Sequence, residues 1–211
     1  MGLRSGIFAT AALAAVALAA PAVAQQTIID EWPSIKTPPA PALKEVTVDP
    51  KTTALLLLDF VKQACNAQVR PRCLATLPAA KELLAGARAK NMLVVRSIVF
   101  GGAIGDTLPE VGVTGDEPYV QAGPDKFLNT DLEKILKDKG IKTVIVSGTA
   151  AHGAVIHTGA EAAFRGFSVI VPVDTMSAEN AFVEQYVAYH FTSAPRVAPA
   201  TTLTRVSMIK Y

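Results

Sequence analysis

A chain of 211 residues, half of them hydrophobic, with 20 Lys and Arg against 18 Asp and Glu, carries a net charge of only +2. Its basic residues are scattered and no repeat of solenoid period runs through it, which excludes nucleic acid and anionic membrane surfaces as electrostatic partners and sets repeat architectures aside. What these bounds leave is one domain long enough to bury a substantial core.

The chain opens with a positive residue, Arg4, then an apolar run from Ile7 to Ala20, a break at Pro21, and Ala22-Val23-Ala24 as a small-x-small motif. This pattern predicts a secretory signal peptide over residues 1–24, cut between Ala24 and Gln25, and hence a periplasmic or secreted protein. The run is shorter than the roughly 18–20 apolar residues of a spanning helix, so no membrane segment is expected after cleavage. Residues 25–50 carry Pro33, Pro38, Pro39, Pro41 and Pro50 and read as an extended arm that wraps the domain or a partner subunit. Residues 51–211 form the domain proper.

Within it, Thr53 to Leu58 (TALLLL) is a continuous apolar run that fits a central buried strand. Pro78 to Lys90 shows helical spacing with Pro78 near the helix start, and Asn91 to Phe100 gives a second strand. Phe100 to Pro124 is rich in Gly and Pro and reads as a long functional loop, a lid or pocket wall. Asn129 to Lys139 predicts a helix capped by Asn129 or Thr130, with Leu132, Ile135 and Leu136 on one face and Gly140 as its stop. A third strand follows at Lys142 to Ser147, then an Ala-rich helix to Gly166, a strand from Phe167 to Val173, a helix from about Ser177 to Phe191, and a final strand or tail from Thr201 to Tyr211. Strands that alternate with helices, and are apolar on both faces, make this a three-layer α/β/α domain with a mainly parallel central sheet.

Several positions carry chemistry. Asp59 ends TALLLLD, at the mouth of a buried strand, where a carboxylate serves proton transfer or caps the following segment. Lys126 follows the long loop and either approaches the same crevice or is a solvated charge. Cys65 and Cys73 bracket a polar stretch, and in an oxidising compartment they read as a disulfide, with a free nucleophilic Cys65 as the alternative. His152 precedes the first helical turn and is expected to line the pocket, whereas His157 is packed or solvated. Their spacing of five does not place two ligands on one helix face, so neither a metal nor a cofactor is expected. Gly148 and Gly153 either admit a ligand close to the backbone or simply serve the turn, and amides at this helix start are suited to a carboxylate or an oxyanion. Asp174 reads as the cap of the next helix.

Three segments, TALLLLDF, GPDKFLNTDLEKIL and VSGTAAHGAVIHTGAEAAFRG, resemble in order the motifs of the isochorismatase-like, or cysteine hydrolase, superfamily. The resemblance implies a Rossmann-like α/β fold, a small-molecule substrate and a homo-oligomer. It also implies a catalytic set of Asp59, Lys126 and, at the position of the family's nucleophilic Cys, Ala154, beside substrate-binding His152, Gly148 and Gly153. The family's amidases use Cys as nucleophile, Asp as its proton acceptor and Lys as charge partner, which Ala154 rules out here. Its true isochorismatases also lack that Cys, share an Ala-His like Ala151-His152, and cleave a vinyl ether with Asp as proton donor and water as trap. The resemblance therefore implies a hydrolase working through an Asp/Lys pair, with a catalytically inactive binding protein of the same fold as the alternative.

Overall fold

The stretch TALLLL shows no polar alternation because both of its faces are covered. It forms a strand with every residue buried, sending Ala54, Leu56 and Leu58 into the core on one face and Leu55 and Leu57 into the core on the other. The computed structural model describes Gly2 and residues 26–211, so the signal peptide expected over residues 1–24 lies, Gly2 apart, outside the described residues. The chain forms two compact units, Met1–Thr37 and Pro38–Tyr211. In the first, helix α1 (Ile28–Glu31) is opened by Thr27 and Asp30, whose carboxylate accepts from the Thr27 amide at 2.8 Å.

The second unit holds the strands β1 (Val46–Thr47), β2 (Thr53–Leu58), β3 (Leu93–Ile98), β4 (Tyr119–Gln121), β5 (Thr143–Thr149), β6 (Ser168–Pro172), β7 (Met176–Ser177), β8 (Thr201–Thr204) and β9 (Ile209–Lys210). Its helices are α2 (Pro71–Ala89), α3 (Leu132–Asp138), α4 (Ile156–Phe164) and α5 (Ala181–Ser193). Seven strands form one sheet in the order β4-β3-β2-β5-β6-β8, with β7 beside β5, and all its pairings are parallel. Leu77, Ala80, Leu83 and Leu84 of α2 cover one face. Leu132 and Leu136 of α3, Ala162 of α4, and Val187 and Phe191 of α5 cover the other, which gives the three-layer α/β/α domain. Because β2 pairs with β3 on one side and with β5 on the other, chain order reverses there, and the crevice beyond the carboxyl ends of β2 and β5 is the natural ligand site of an open parallel sheet.

Several boundaries differ from the sequence reading. Helix α2 begins at Pro71, about two turns before the expected start at Pro78, and Pro78 lies inside it. Pro78 and Leu74 are both exposed, so the carbonyl that Pro78 leaves without an amide partner faces water rather than the core. Helix α5 begins at Ala181, since Ser177 belongs to β7, and its cap is Asn180, whose Oδ1 accepts from the Val183 amide at 3.1 Å. Asp174 therefore does not cap that helix. It accepts instead from the Val206 amide at 3.2 and 3.1 Å and ties down the C-terminal segment, and its burial pushes its carboxyl above the usual value. Helix α3 starts at Leu132 rather than Asn129, with the Thr130 hydroxyl accepting from the Leu132 amide at 3.2 Å, and Gly140 closes it at a φ of +67°. The proline-rich stretch from Pro38 onward lies against its own domain. Gln185 donates to the Pro38 carbonyl at 2.7 Å, Lys44 to Leu203 at 2.9 Å, and β1 pairs in parallel with β9.

Cys65 and Cys73 form a disulfide, with Cα atoms 5.4 Å apart and both side chains fully buried. Inside the closed loop, Asn66 Oδ1 accepts the amides of Gln68 and Val69 at 2.9 and 2.8 Å, so the turn is set by side-chain capping as well as by the cross-link. Replacing both cysteines with Ser releases that loop in the unfolded chain and is expected to lower unfolding free energy by about 2–3 kcal/mol. Urea denaturation of the two proteins measures the difference, and coincident midpoints would show that the cross-link contributes nothing.

Candidate active site

Asp59 is the first residue beyond β2, and its backbone turns sharply there, at a φ of +55° that short polar side chains tolerate better than most. The turn is held from the neighbouring strand, as the Asp59 amide donates to the Ser97 carbonyl at 3.3 Å and to the Ser97 hydroxyl at 3.2 Å. The carboxylate is then fixed at both oxygens. Ser97 Oγ donates to Oδ1 at 2.7 Å and Lys126 Nζ donates to Oδ2 at 2.6 Å. Asp59 is thus not a cap, and Lys126 is not a solvated charge: their side chains are 8 % and 1 % exposed.

Lys126 reaches Asp59 because its own segment is nailed to α4. Its amide donates to Thr158 Oγ1 at 3.2 Å, and that hydroxyl in turn donates to the Pro124 carbonyl at 3.3 Å. Lys126 Nζ makes a second, longer contact to the Ala122 carbonyl at 3.4 Å. A charge-assisted pair this short and this dry holds its shape through the hydrogen bonds around it rather than through Coulomb attraction alone.

Asp59 opens on a cavity of about 480 Å³ whose wall includes Gln63, Arg70, Phe100, Gly153 and Ala154. The size suits a small molecule. Ala154, only 3 % exposed, sits in a π-helical turn (Ala151–Val155) that joins β5 to α4. The Gly153 and Val155 amides of that turn donate to the Ala150 carbonyl at 3.0 and 3.2 Å, so these two are engaged within the turn rather than offered to a ligand. His152 does not line the cavity. It is exposed, with Nδ1 3.5 Å from Glu179 Oε2. His157 is exposed as well. Gly148 lies in the sheet rather than in the wall, at a φ of +155°, and a Cβ there would sit 2.6 Å from Leu58 Cβ; the glycine is needed so that β5 can pass close to the last residue of β2. Cys65, bonded to Cys73 and away from the cavity wall, is not a nucleophile.

The stretch from Phe100 to Pro124 is not one uninterrupted loop, since β4 (Tyr119–Gln121) pairs with β3 within it; Phe100 before β4 and Ala122, Gly123 and Pro124 after it line the wall. Its far part is anchored by Glu117, which accepts from Arg88 Nε at 2.8 Å and from Arg96 Nε at 2.8 Å. Burial pushes the Glu117 carboxyl up, but hydrogen bonds from the two guanidinium groups outweigh that and hold it below the usual carboxylate range. Asp106 clips the near part to the loop after Asp59, taking Lys62 at 2.6 Å and Gln63, and these donors hold its carboxyl down at about 2.

Sequence reading finds Asp59, Lys126, Ala154 and Gly153 around this cavity and misses Ser97, Gln63, Arg70 and Glu179. Ser97 had a signal: Arg96-Ser97 is a polar pair inside the apolar run MLVVRSIVF, and a polar residue in a buried strand needs a partner. Among the described residues no three His, Cys, Asp or Glu side chains converge as a metal site would require, and no helix is long and apolar enough to cross a membrane.

The isochorismatase domain model matches residues 53–204 of the chain. The fold is similar to that of solved structures at low identity. N-carbamoylsarcosine amidase from Thermoplasma acidophilum is 23% identical with a TM-score of 0.63, over 74% of this chain and 96% of that one. A cysteine hydrolase from Pseudomonas syringae is 18% identical with a TM-score of 0.68, over 79% and 94%. An isochorismatase from Pseudomonas putida is 16% identical with a TM-score of 0.68, over 78% and 93%. No curated protein matches the chain. A match spanning the sheet from its central strand to its last, on a fold shared with these hydrolases, assigns the family: the chain belongs to the isochorismatase family.

Proposed function

We propose that this chain is an exported hydrolase that cleaves a small molecule without a covalent thiol step, with Asp59 as general acid/base and Lys126 as its charge partner. The observation that carries the reading is that Asp59 is the one carboxylate among the described residues of the cavity wall, held from both sides by Ser97 and Lys126. Ala154 takes the place of the family's nucleophilic Cys and leaves a methyl group where a thiol would attack. The chain's two cysteines are bonded to each other, so neither supplies a replacement. Chemistry that needs an acid and room for water is what remains. On an enol ether, Asp59 starts the cycle in its carboxylic-acid form and delivers that proton to carbon, water adds to the resulting oxocarbenium ion, and the proton that this water sheds returns to Asp59. The hemiketal so formed collapses to a carbonyl compound and an alcohol, its hydroxyl proton passing to the departing oxygen, so that one water is consumed, one carbon–oxygen bond breaks and the carboxyl group is restored. Lys126 keeps the carboxylate oriented through both steps.

The disulfide supports export, since such a bond persists in oxidising compartments and is rare in reducing ones. Ala154 also supports a second reading, a binding protein that keeps the fold without turnover, and the two separate on turnover alone.

In assays of vinyl ethers, small amides and esters, the Asp59→Asn protein is expected to be on the order of 10²-fold or more slower than wild type. Equal rates would remove Asp59 from the mechanism. Iodoacetamide treatment of the native enzyme is expected to leave its rate unchanged, and inactivation by the reagent would reinstate a thiol. Lys126→Met leaves Asp59 buried without its counter-charge, and a loss of about 3–5 kcal/mol is expected from chemical denaturation, apart from any loss of rate.

A further inference from the structure

Arg70 is the only positively charged side chain among the described residues of the Asp59 cavity wall. Its side chain is 12 % exposed, at the end of the disulfide-closed loop. A guanidinium has five N–H donors. Here Nε and Nη2 donate to a single oxygen of Glu179 at 3.1 and 2.7 Å, and Nη1 donates to the Ala64 carbonyl at 2.9 Å. Two N–H groups therefore have no acceptor among the described residues. Asp59 makes no claim on them, because its own charge is matched by Lys126.

The neighbouring pair shows what a structural Arg–Glu clip looks like in this molecule. Arg72 grips Glu184 with Nε and Nη2 on separate oxygens, at 2.8 and 2.5 Å, and Glu184 also accepts from the Ala178 amide at 3.0 Å. That two-oxygen fork joins the start of α2 to the start of α5. Glu179 spends one oxygen on Arg70, turns the other toward His152 at 3.5 Å, and is 46 % exposed. It is a loosely committed counter-charge on an arginine of the cavity wall, while the clip beside it holds the two helices together.

We propose that Arg70 anchors a carboxylate-bearing substrate in this cavity and that Glu179 is the counter-charge such a substrate displaces. The inference rests on the reading of the Asp59 cavity as the active site. A planar carboxylate matches the guanidinium fork, and its arrival places two negative groups on one cation, so the half-exposed Glu179 moves out to water at little cost. The cross-linked loop keeps Arg70 in place while this happens. Arg70 thus selects the substrate by charge, and Asp59 carries the proton.

Calorimetric titration of the purified protein with benzoate and with benzamide tests this without requiring turnover. Benzoate is expected to bind about tenfold or more tighter than benzamide, and to weaken as salt is raised. Arg70→Met is expected to erase that preference, Arg70→Lys to keep part of it, and Glu179→Gln to tighten benzoate several-fold. Circular dichroism and thermal melts verify that each variant is folded. If Arg70→Met does not fold, the Glu179→Gln response and the wild-type salt dependence decide. Equal binding of the two probes, no benzoate binding at millimolar concentration, or an unchanged preference in folded Arg70→Met overturns the proposal. An unaltered benzoate affinity in Glu179→Gln overturns the displacement. A protein that hydrolyses nothing yet binds benzoate through Arg70 refutes the hydrolase reading and leaves the anchor standing.

Discussion

The ion pair between Lys126 and Asp59 is the constraint that the rest of the site answers to. Two charges that have left water must satisfy each other, and what their hydrogen-bonding groups do not share must be met by neighbours. Ser97 completes the carboxylate, the Ala122 carbonyl sits near the ammonium, and Thr158 holds the Lys126 backbone in place. The pair joins the mouth of β2 to the segment after the long loop, and through Thr158 to α4. Three separate parts of the chain therefore have to be correctly folded before either charge is paired. A fold that keeps such an expensive arrangement is stabilised elsewhere, by the two apolar cores on either side of the sheet.

The sheet itself was legible from residue pattern. TALLLL, the run through Arg96-Ser97, the run from Lys142 to Ser147 and the run FSVIVPV appear as β2, β3, β5 and β6 at nearly the expected limits, because burial on both faces leaves mostly apolar residues to read. Helix ends were harder. Pro78 reads as a start because proline favours the first turn, yet a proline on the wet face of a helix costs only a backbone bond that water replaces, and α2 runs through it. Asp174 reads as a cap from its place after a strand, and its true acceptor role is toward Val206, a partner 32 residues away that no local pattern announces.

Within the site, what could be read was what a single segment contains. Asp59 stands at a strand end and Ala154 at a turn, and each sits where its own neighbours put it. The position of His152 before the helix points to the pocket, but the turn there is π-helical and carries the side chain outward to Glu179. Ser97, Arg70 and Glu179 matter only through contacts made across 38 and 109 residues of sequence, so the information lies in the topology rather than in any motif.

The alternation along β2 has a consequence for how this family member can change. Because odd and even positions feed different cores, the strand works as a ruler that counts out where the carboxylate lands. Losing a single residue between 54 and 58 would draw Asp59 back by about 3.3 Å and turn the strand residues that follow the gap to the opposite face. Side-chain identity in the strand can drift among apolar residues of similar size, while its length cannot. Substrate preference in such a protein is therefore free to vary in the loops around the cavity, where insertions are cheap, and the proton-transfer position stays fixed by arithmetic.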